Sequence, residues 1–427
     1  MLFRFSLYGF LKNQRYFEPF LILAFLEKGL SFFAIGLLIS FREVVVNFLE
    51  IPSGAVADVW GRRRSMILSF AAYIASFVLF GLAQGLPLLL LAMFFFAIGE
   101  AFRTGTHKAM IFTWLRLQGR AGERTRVYGY TRSWSKYGSA ASVVLAAVFV
   151  YLSDSYVYVF YFTAVPYLLG IVNFLGYPAE LDGRTGQEVS LRQVIRHLRA
   201  GFAEAWRTPG LRRVLLESTG FQGVYETTKD YLQPVLKGAA VAAAAHWAVT
   251  ARLSEVQQAT LLVGPVYLVL HLLGGLASRH AHALAALWGD EEQAARRLWL
   301  VDLGLCAGLG VAAFYAANPV LIACFVLWEV LFNVWRPVQL SRFDTHGSEG
   351  QGATVLSIES QARRGVTVLG APLLGLAVDA VRAHQLGGPF WPVGLLGAGV
   401  ALAFLVLSPR PVRAADGLQP QPTGAGR

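Results

Sequence analysis

Long apolar segments recur along most of this chain of 427 residues. About twelve of them approach the roughly 20 residues that a helix needs to cross a bilayer. Hydrophobic residues make up 55% of the sequence and charged residues 15%, whereas a soluble domain has roughly 25% charged residues. The sequence therefore predicts an all-α membrane protein, with transmembrane helices at 7–28, 32–53, 64–83, 87–112, 127–151, 156–176, 213–236, 256–277, 297–317, 319–341, 353–378 and 389–408.

The positive charge of the chain is concentrated in particular loops. A net charge of +11 could indicate nucleic-acid binding, but Lys and Arg are absent from 83–86, from 153–155 and from Asn318. Arginines instead occupy the alternate loops, such as 62–64 and 184–213. Because cytoplasmic loops carry an excess of Lys and Arg, we expect a multi-pass protein of an inner or plasma membrane, with both termini in the cytoplasm and no nucleic-acid partner.

Chemical motifs typical of enzymes are missing from the sequence. The two cysteines, Cys306 and Cys324, both fall in apolar runs, which argues against a disulfide framework. There is no phosphate-binding loop and no metal-ligand spacing, and His280-x-His282 is a lone pair in a loop. We therefore expect no enzymatic activity, no cofactor and no metal.

The loop between segments 2 and 3 carries a distinctive motif, which reads Gly54-Ala-Val-Ala-Asp58-Val-Trp-Gly61-Arg62-Arg63-Arg64. Gly61 permits a sharp reversal of the chain, and the arginines hold the loop on the cytoplasmic side. The motif resembles the corresponding loop of the major facilitator superfamily, Gly-x-x-x-Asp-(Arg/Lys)-x-Gly-Arg-(Arg/Lys), although Val59 stands where that family usually has a cation. The resemblance implies a secondary transporter with twelve transmembrane helices.

The resemblance also implies a cytoplasmic gate. In the family, the aspartate of the motif docks on the start of helix 11, here near 352–354, and stabilises the state that is open to the outside. The predicted gate residues are Gly54, Asp58, Gly61, Arg62 and Arg63. Segment 5 lacks the Gly-Pro-Gly-Gly type of motif common among drug and proton antiporters, which weakens an assignment to drug export.

An internal repeat divides the chain into two halves. The matched stretches are Gln14-x-x-x-Glu18 with Gln222-x-x-x-Glu226, and Arg132-x-x-x-Lys136-x-Gly138 with Glu359-x-x-x-Arg363-x-Gly365. Matches that recur in the same order indicate two parallel six-helix halves, related by a pseudo-two-fold axis along the membrane normal.

These halves are predicted at 1–176 and 213–408. Between them lies a cytoplasmic linker, 177–212, which is rich in Arg and Glu and is either an amphipathic surface helix or a plain solvated linker. The piece 238–251 is an insertion of unknown role, and the tail 409–427 should be disordered.

Ionisable side chains inside the predicted helices are the candidate functional residues. Each costs about 2.5 kcal/mol or more in a membrane, so they must face one another or water. Helical spacing places Glu100, Arg103 and His107 on one face. The candidates for substrate or proton binding are Glu18, Arg42, Glu100, Arg103, Arg132, Lys136, Glu226, Lys229, Glu329 and Glu359.

Three interpretations of these charges remain open. Glu18 or Glu226 could bind a proton whose release is coupled to substrate. The basic groups could bind an anionic substrate, or the charges could form ion pairs that hold the halves together. We favour a proton-coupled exporter of a small organic molecule, working by alternating access as a monomer in the lipid bilayer. The alternatives are an importer of a small organic anion and a non-transporting membrane sensor.

Overall fold

The computed structural model describes residues 1–182, 196, 202–203, 206–246, 250–346 and 352–407, except for the side chains at 51, 55, 58, 352 and 353. Within these ranges the chain is helical and contains no strand. The predicted tail, 409–427, and most of the predicted linker lie outside the described residues.

Apolar helices make up the fold. In chain order the α-helices are α1 (Leu2–Leu11), α2 (Leu21–Glu27), α3 (Phe32–Trp60), α4 (Arg62–Leu82), α5 (Leu86–Arg103), α6 (Thr106–Leu117), α7 (Arg124–Ser153), α8 (Tyr158–Leu175), α9 (Pro209–Thr228), α10 (Leu232–Ala244), α11 (Glu255–Ala286), α12 (Glu291–Phe314), α13 (Asn318–His346), α14 (Gly352–His384) and α15 (Trp391–Leu407). Among the described residues, nine helical stretches are long and apolar enough to cross a membrane, and α1 and α15 are shorter apolar helices. These observations confirm the prediction of an all-α membrane protein.

Three predicted transmembrane helices are interrupted in the structure, which corrects their prediction as continuous spans. Segment 1 consists of α1 and α2, joined through a 3-10 turn at Glu18–Phe20. Segment 7 consists of α9 and α10, joined by a 3-10 turn at Lys229–Tyr231. Segment 4 breaks between α5 and α6, where Gly105 adopts a φ of +77° that favours glycine.

The break in segment 4 overturns the prediction that Glu100, Arg103 and His107 share one helical face. α5 ends at Arg103 and α6 begins at Thr106. His107 instead lies in a packed aromatic cluster, where its ring stacks on Tyr8 at a centroid distance of 3.7 Å.

The two halves approach most closely where α3 meets α14. A β-carbon added to Gly36 would overlap the backbone of Ala371, and one added to Gly375 would overlap the backbone of Phe32. The Ser40 hydroxyl donates a hydrogen bond to the carbonyl oxygen of Val368 at 2.8 Å. Glycine is therefore required at both positions for this close backbone contact.

Further contacts between the halves lie at one end of the bundle, which we call the closed end. There the Asp379 carboxylate accepts hydrogen bonds from the start of α3, and the Ile22 N–H donates to Gln233 Oε1 at 2.8 Å. The Ser254 hydroxyl donates to the Asp154 carboxylate at the same end. The Gly61 reversal lies at the opposite end of α3, which we call the arginine end.

Candidate functional site

A cavity of about 260 Å³ lies between the two halves, and we call it the central cavity. Side chains of both halves contribute to its wall, and ten of them are ionisable, with equal numbers of carboxylates and cations: Arg15, Glu18, Arg42, Glu43, Glu100, Glu226, Lys229, Asp230, Arg363 and Arg364. The structure thus brings together five of the predicted site residues, namely Glu18, Arg42, Glu100, Glu226 and Lys229.

Helix interruptions place two of these carboxylates in the cavity wall. Glu18 opens the 3-10 turn of segment 1, and Glu226 lies near the end of α9, just before the 3-10 turn of segment 7. These are matching positions of the sequence repeat. Segments broken near the middle of a membrane are a recurrent way of building transporter binding sites.

Glu226 is held between two cations of its own half. Its Oε2 lies 2.7 Å from Lys229 Nζ, and its Oε1 lies 3.4 Å from an Arg363 guanidinium nitrogen. Glu18 differs, because its side chain is exposed and forms no ion pair with any residue that the structure describes. The two matched glutamates therefore occupy unlike electrostatic settings.

A second ion-pair cluster in the wall of the central cavity links the halves through α3 and α14. Arg364 lies 3.6 Å from the Glu43 carboxylate and 3.3 Å from that of Glu50. Arg42 also pairs with Glu43, at 2.5 Å. Arg364 is buried, with 8% of its surface exposed. This cluster fits the third interpretation, in which charges hold the halves together.

A second cavity of about 160 Å³ adjoins the central cavity, and we call it the acidic pocket. Its ionisable lining comprises four carboxylates, one lysine and one histidine: Glu18, Glu226, Asp230, Glu329, Lys229 and His271. The rest of the wall is largely aromatic, and Tyr225 and Phe332 stack there at 4.0 Å. The indole N–H of Trp328 donates a hydrogen bond of 2.7 Å to the buried Asp302, which fixes that ring in the wall.

A third cavity of about 300 Å³, which we call the basic pocket, belongs to the N-terminal half alone. Segments 1, 4 and 5 line it, and its charged residues are Lys12, Arg132 and Lys136. No carboxylate of the described residues lines it. Arg132 and Lys136 were predicted as site residues, but they lie apart from Glu226 and the central cavity.

Two predicted site residues line none of these three cavities. Arg103 ends α5, and its Nε lies 3.4 Å from the Tyr73 hydroxyl. Glu359 is 2% exposed inside the C-terminal half, where it accepts hydrogen bonds from Ser218, Gln222 and Arg336. These three partners belong to segments 7 and 10, so the hydrogen bonds of Glu359 hold segment 11 against both of them.

The predicted gate motif lies at the arginine end. Gly61 adopts a φ of +109° between α3 and α4, as the reversal requires. The Arg63 N–H donates to Asp182 Oδ1 at 2.8 Å, so part of the predicted linker packs on the N-terminal half. Within the described part of the chain, no atom lies within 4 Å of a β-carbon placed on Gly54. The side chain of Asp58 lies outside the described residues, so its docking on segment 11 stays a prediction.

Sequence reasoning missed several residues of these sites. Lys12 and Arg15 fall within the predicted first helix, 7–28, where Glu18 was the predicted site residue. Arg364 directly follows Arg363 and was not considered. Asp302 is isolated in an apolar stretch and is linked to the acidic pocket through its hydrogen bond with Trp328. The cost of an ionisable group within a membrane was the available signal for all four.

A membrane-embedded helical bundle in two halves, with a charged cavity between them, defines a membrane transporter. The chain belongs to the Major Facilitator Superfamily, whose family model matches residues 13–362. This is a family of transporters rather than of enzymes. The resemblance drawn from the Gly54 to Arg64 motif is thereby confirmed.

A curated relative and several solved structures are similar to the chain. The uncharacterized MFS-type transporter YxaM of Bacillus subtilis (strain 168) is 25% identical over 226 residues, which cover 52% of this chain and 54% of YxaM. The match thus spans about half the length of that relative.

Among solved structures, the nucleoside transporter NupG is 13% identical with a TM-score of 0.75, covering 95% of this chain and 97% of NupG. A D-xylose-proton symporter is 15% identical with a TM-score of 0.67, covering 94% and 96%. The peptide transporter POT is 14% identical with a TM-score of 0.67, covering 96% and 94%. At these identities the likeness shows the fold, and it agrees with the predicted twelve-helix arrangement in two halves.

Proposed function

We propose that the protein is a proton-coupled secondary transporter, which exports a small organic molecule in exchange for protons by alternating access. The acidic pocket carries this proposal, because four carboxylates there share one lysine. Carboxylates are costly inside a membrane, and taking up a proton relieves that cost. A proton and a cationic group of the substrate would compete for the same oxygens. Because binding of one then releases the other, the transporter would exchange substrate for protons.

Glu226 is the coupling residue that we propose, with Glu18 as its counterpart in the other half. A proton on Glu226 would release Lys229 and Arg363, which its carboxylate now holds at 2.7 and 3.4 Å. The ion-pair pattern around the central cavity therefore depends on the protonation of one residue. Arg42, Glu100 and Glu329 complete the proposed substrate and proton site.

The same release supports a second candidate, an importer of a small organic anion. Once freed, Lys229 and Arg363 could bind an anion together with the proton, which would give symport instead of exchange. The direction of proton movement during substrate uptake distinguishes the two. A protein that binds ligand without moving protons or ligand would instead be a sensor.

We also propose an orientation. The arginine end faces the cytoplasm of an inner or plasma membrane, because loops rich in Arg stay on that side. The closed end then faces outward, and the structure represents an inward-facing state of a monomer. Gly54, Asp58, Gly61, Arg62 and Arg63 would form the gate that closes the arginine end in the opposite state.

Proton flux in proteoliposomes tests this proposal. Purified protein is reconstituted with a pH-sensitive dye inside, and a panel of small organic molecules is added with and without a pH gradient. For a transported compound, Glu226→Gln should abolish accumulation driven by pH while leaving exchange of substrate without a gradient. Glu123→Gln is the matched control, because Glu123 pairs with Arg120 in a loop and lines none of the three cavities. Full accumulation driven by pH in both Glu18→Gln and Glu226→Gln would reject the coupling role.

A further inference from the structure

We infer that the transported molecule carries both an anionic and a cationic group, the first bound in the basic pocket and the second in the acidic pocket. This inference rests on the proposed function and names the substrate class. It follows from cations of the basic pocket and carboxylates of the acidic pocket that have no partner of opposite charge among the described residues.

The basic pocket holds cations that have no paired carboxylate. Among the described residues, neither its three cations, Lys12, Arg132 and Lys136, nor the nearby Arg15 of the central cavity has a carboxylate oxygen within 4.0 Å. The Nε atom of Arg15 is buried without a hydrogen-bond acceptor. Cations in a membrane-embedded site are normally paired. An anionic group of a ligand would supply the missing countercharge.

The basic pocket has the form of an anion site. Arg132 and Lys136 are four residues apart on α7, so they project from the same face of that helix. Lys12 approaches from segment 1 across the pocket. Asn13 and Ser135 also line the pocket, whereas the hydroxyls of Thr131 and Ser139 already donate to backbone carbonyl oxygens, so the three cations are its principal donors. Carboxylate or phosphate oxygens fit such a set of donors.

The acidic pocket has the opposite imbalance. Its only lysine, Lys229, is already paired with Glu226 at 2.7 Å. Glu329 accepts a hydrogen bond from Asn333 at 2.8 Å but pairs with no cation in the described chain, and Glu18 likewise has none. Trp328 adds an aromatic face to these carboxylates. Carboxylates beside aromatic rings are suited to an organic ammonium group.

The two pockets lie on neighbouring helices, so one elongated molecule can span both. α7, which carries Lys136, packs along α11, which carries His271, and Gln257 Nε2 of α11 donates a hydrogen bond to the Tyr151 carbonyl oxygen of α7 at 3.2 Å. The basic pocket belongs to the N-terminal half, and the acidic pocket mostly to the C-terminal half. A substrate of a single charge sign would leave one pocket uncompensated. A zwitterion satisfies both and contacts both moving halves.

Binding of two simple probes to the full-length protein tests this inference. Inorganic phosphate is the probe for the basic pocket and tetraethylammonium for the acidic pocket, each titrated at constant ionic strength while thermal unfolding is followed. Both should raise the unfolding temperature of the wild type. Arg132→Gln with Lys136→Gln should weaken phosphate binding at least about tenfold and spare tetraethylammonium, and Glu329→Gln should do the reverse.

Matched controls are Arg126→Gln, on α7 but with 87% of its side chain exposed, and Glu123→Gln in the neighbouring loop. A response to phosphate alone would make the ligand an anion, and a response to tetraethylammonium alone would make it an organic cation. Either result, or no response, overturns the zwitterion assignment. The proton-flux measurement on Glu226→Gln decides the proposed function separately, because it does not depend on Arg132, Lys136 or Glu329.

Discussion

Asp379 of α14 caps the first turn of α3 in the opposite half, where its Oδ2 accepts a hydrogen bond from the Phe33 N–H at 2.8 Å. Its Oδ1 accepts a second from the Phe32 N–H at 3.1 Å. A carboxylate at a helix N-terminus is stabilised by the unpaired N–H groups and by the helix dipole. The proposed contact of Asp58 with the start of α14 would be its counterpart at the arginine end. In one state a carboxylate of segment 11 would cap segment 2, and in the other state a carboxylate of segment 2 would cap segment 11.

Replacing Asp379 by Asn should therefore weaken the closed end. Loss of the charge at a helix N-terminus costs about 0.3 to 2 kcal/mol, enough to shift a two-state equilibrium severalfold. We expect faster labelling of a cysteine at Leu30, near this contact, in a background without Cys306 and Cys324. Asp290→Asn is the control, because Asp290 caps its own helix. Equal labelling rates in the two variants would contradict a role for Asp379 in closure.

Gly36→Ala should destabilise the contact between α3 and α14. Its new methyl group would overlap the backbone of Ala371, and overpacking of this kind typically costs about 1 to 3 kcal/mol. Thermal unfolding measures this cost. Gly399→Ala serves as the control, because no atom of the residues that the structure describes lies within 4 Å of the added methyl group in α15. If both variants unfold at the temperature of the wild type, the helices are not so closely apposed.

Arg364→Gln should lower stability through loss of the ion pairs with Glu43 and Glu50. Removing one partner of a buried pair typically costs about 3 to 5 kcal/mol, because the remaining charge is left uncompensated. Adding Glu50→Gln should restore part of the loss, with a coupling energy of about 0.5 to 3 kcal/mol in a double-mutant cycle. Strictly additive effects of the two substitutions would show that Arg364 and Glu50 do not interact.

Cysteines at Ser155 and Gln118 should react with a membrane-impermeant reagent from opposite sides of the membrane. Ser155 follows α7 at the closed end, and Gln118 follows α6 at the arginine end. Right-side-out and inverted vesicles from a Cys306→Ser, Cys324→Ser background provide the measurement. Labelling of both sites from the outside would reject the proposed orientation and the cytoplasmic gate with it.

The sequence predicted the apolar segments well, because a run of about 20 apolar residues matches the thickness of a bilayer and is unfavourable in water. It also located Glu18 and Glu226, since an internal repeat marks equivalent positions. The helix breaks that bring both into the cavity were not predicted, because an apolar window does not detect a local 3-10 turn. The prediction that His107 shares a helical face with Glu100 and Arg103 was wrong for the same reason, because the sequence pattern did not show the break between α5 and α6.

The contacts between the halves could not be predicted from the sequence. Arg364 meets Glu43 and Glu50 only because α3 and α14 pack in one particular register, which Gly36 and Gly375 fix. Two residues of like charge can also differ in role, as Arg363 and Arg364 show. Arg363 faces Glu226 in its own half, and Arg364 faces the other half.

The close contact at Gly36 divides α3 into a short arm and a long arm. This helix has 29 residues, from Phe32 to Trp60, and Gly36 lies four residues from the first and 24 from the second. At a rise of about 1.5 Å per residue, the two arms measure about 6 and about 36 Å. A rotation about Gly36 would move Trp60 about six times as far as Phe32. A shift of about 1 Å at Phe32 would then move the arginine end of α3 by about 6 Å, roughly the width of a small metabolite.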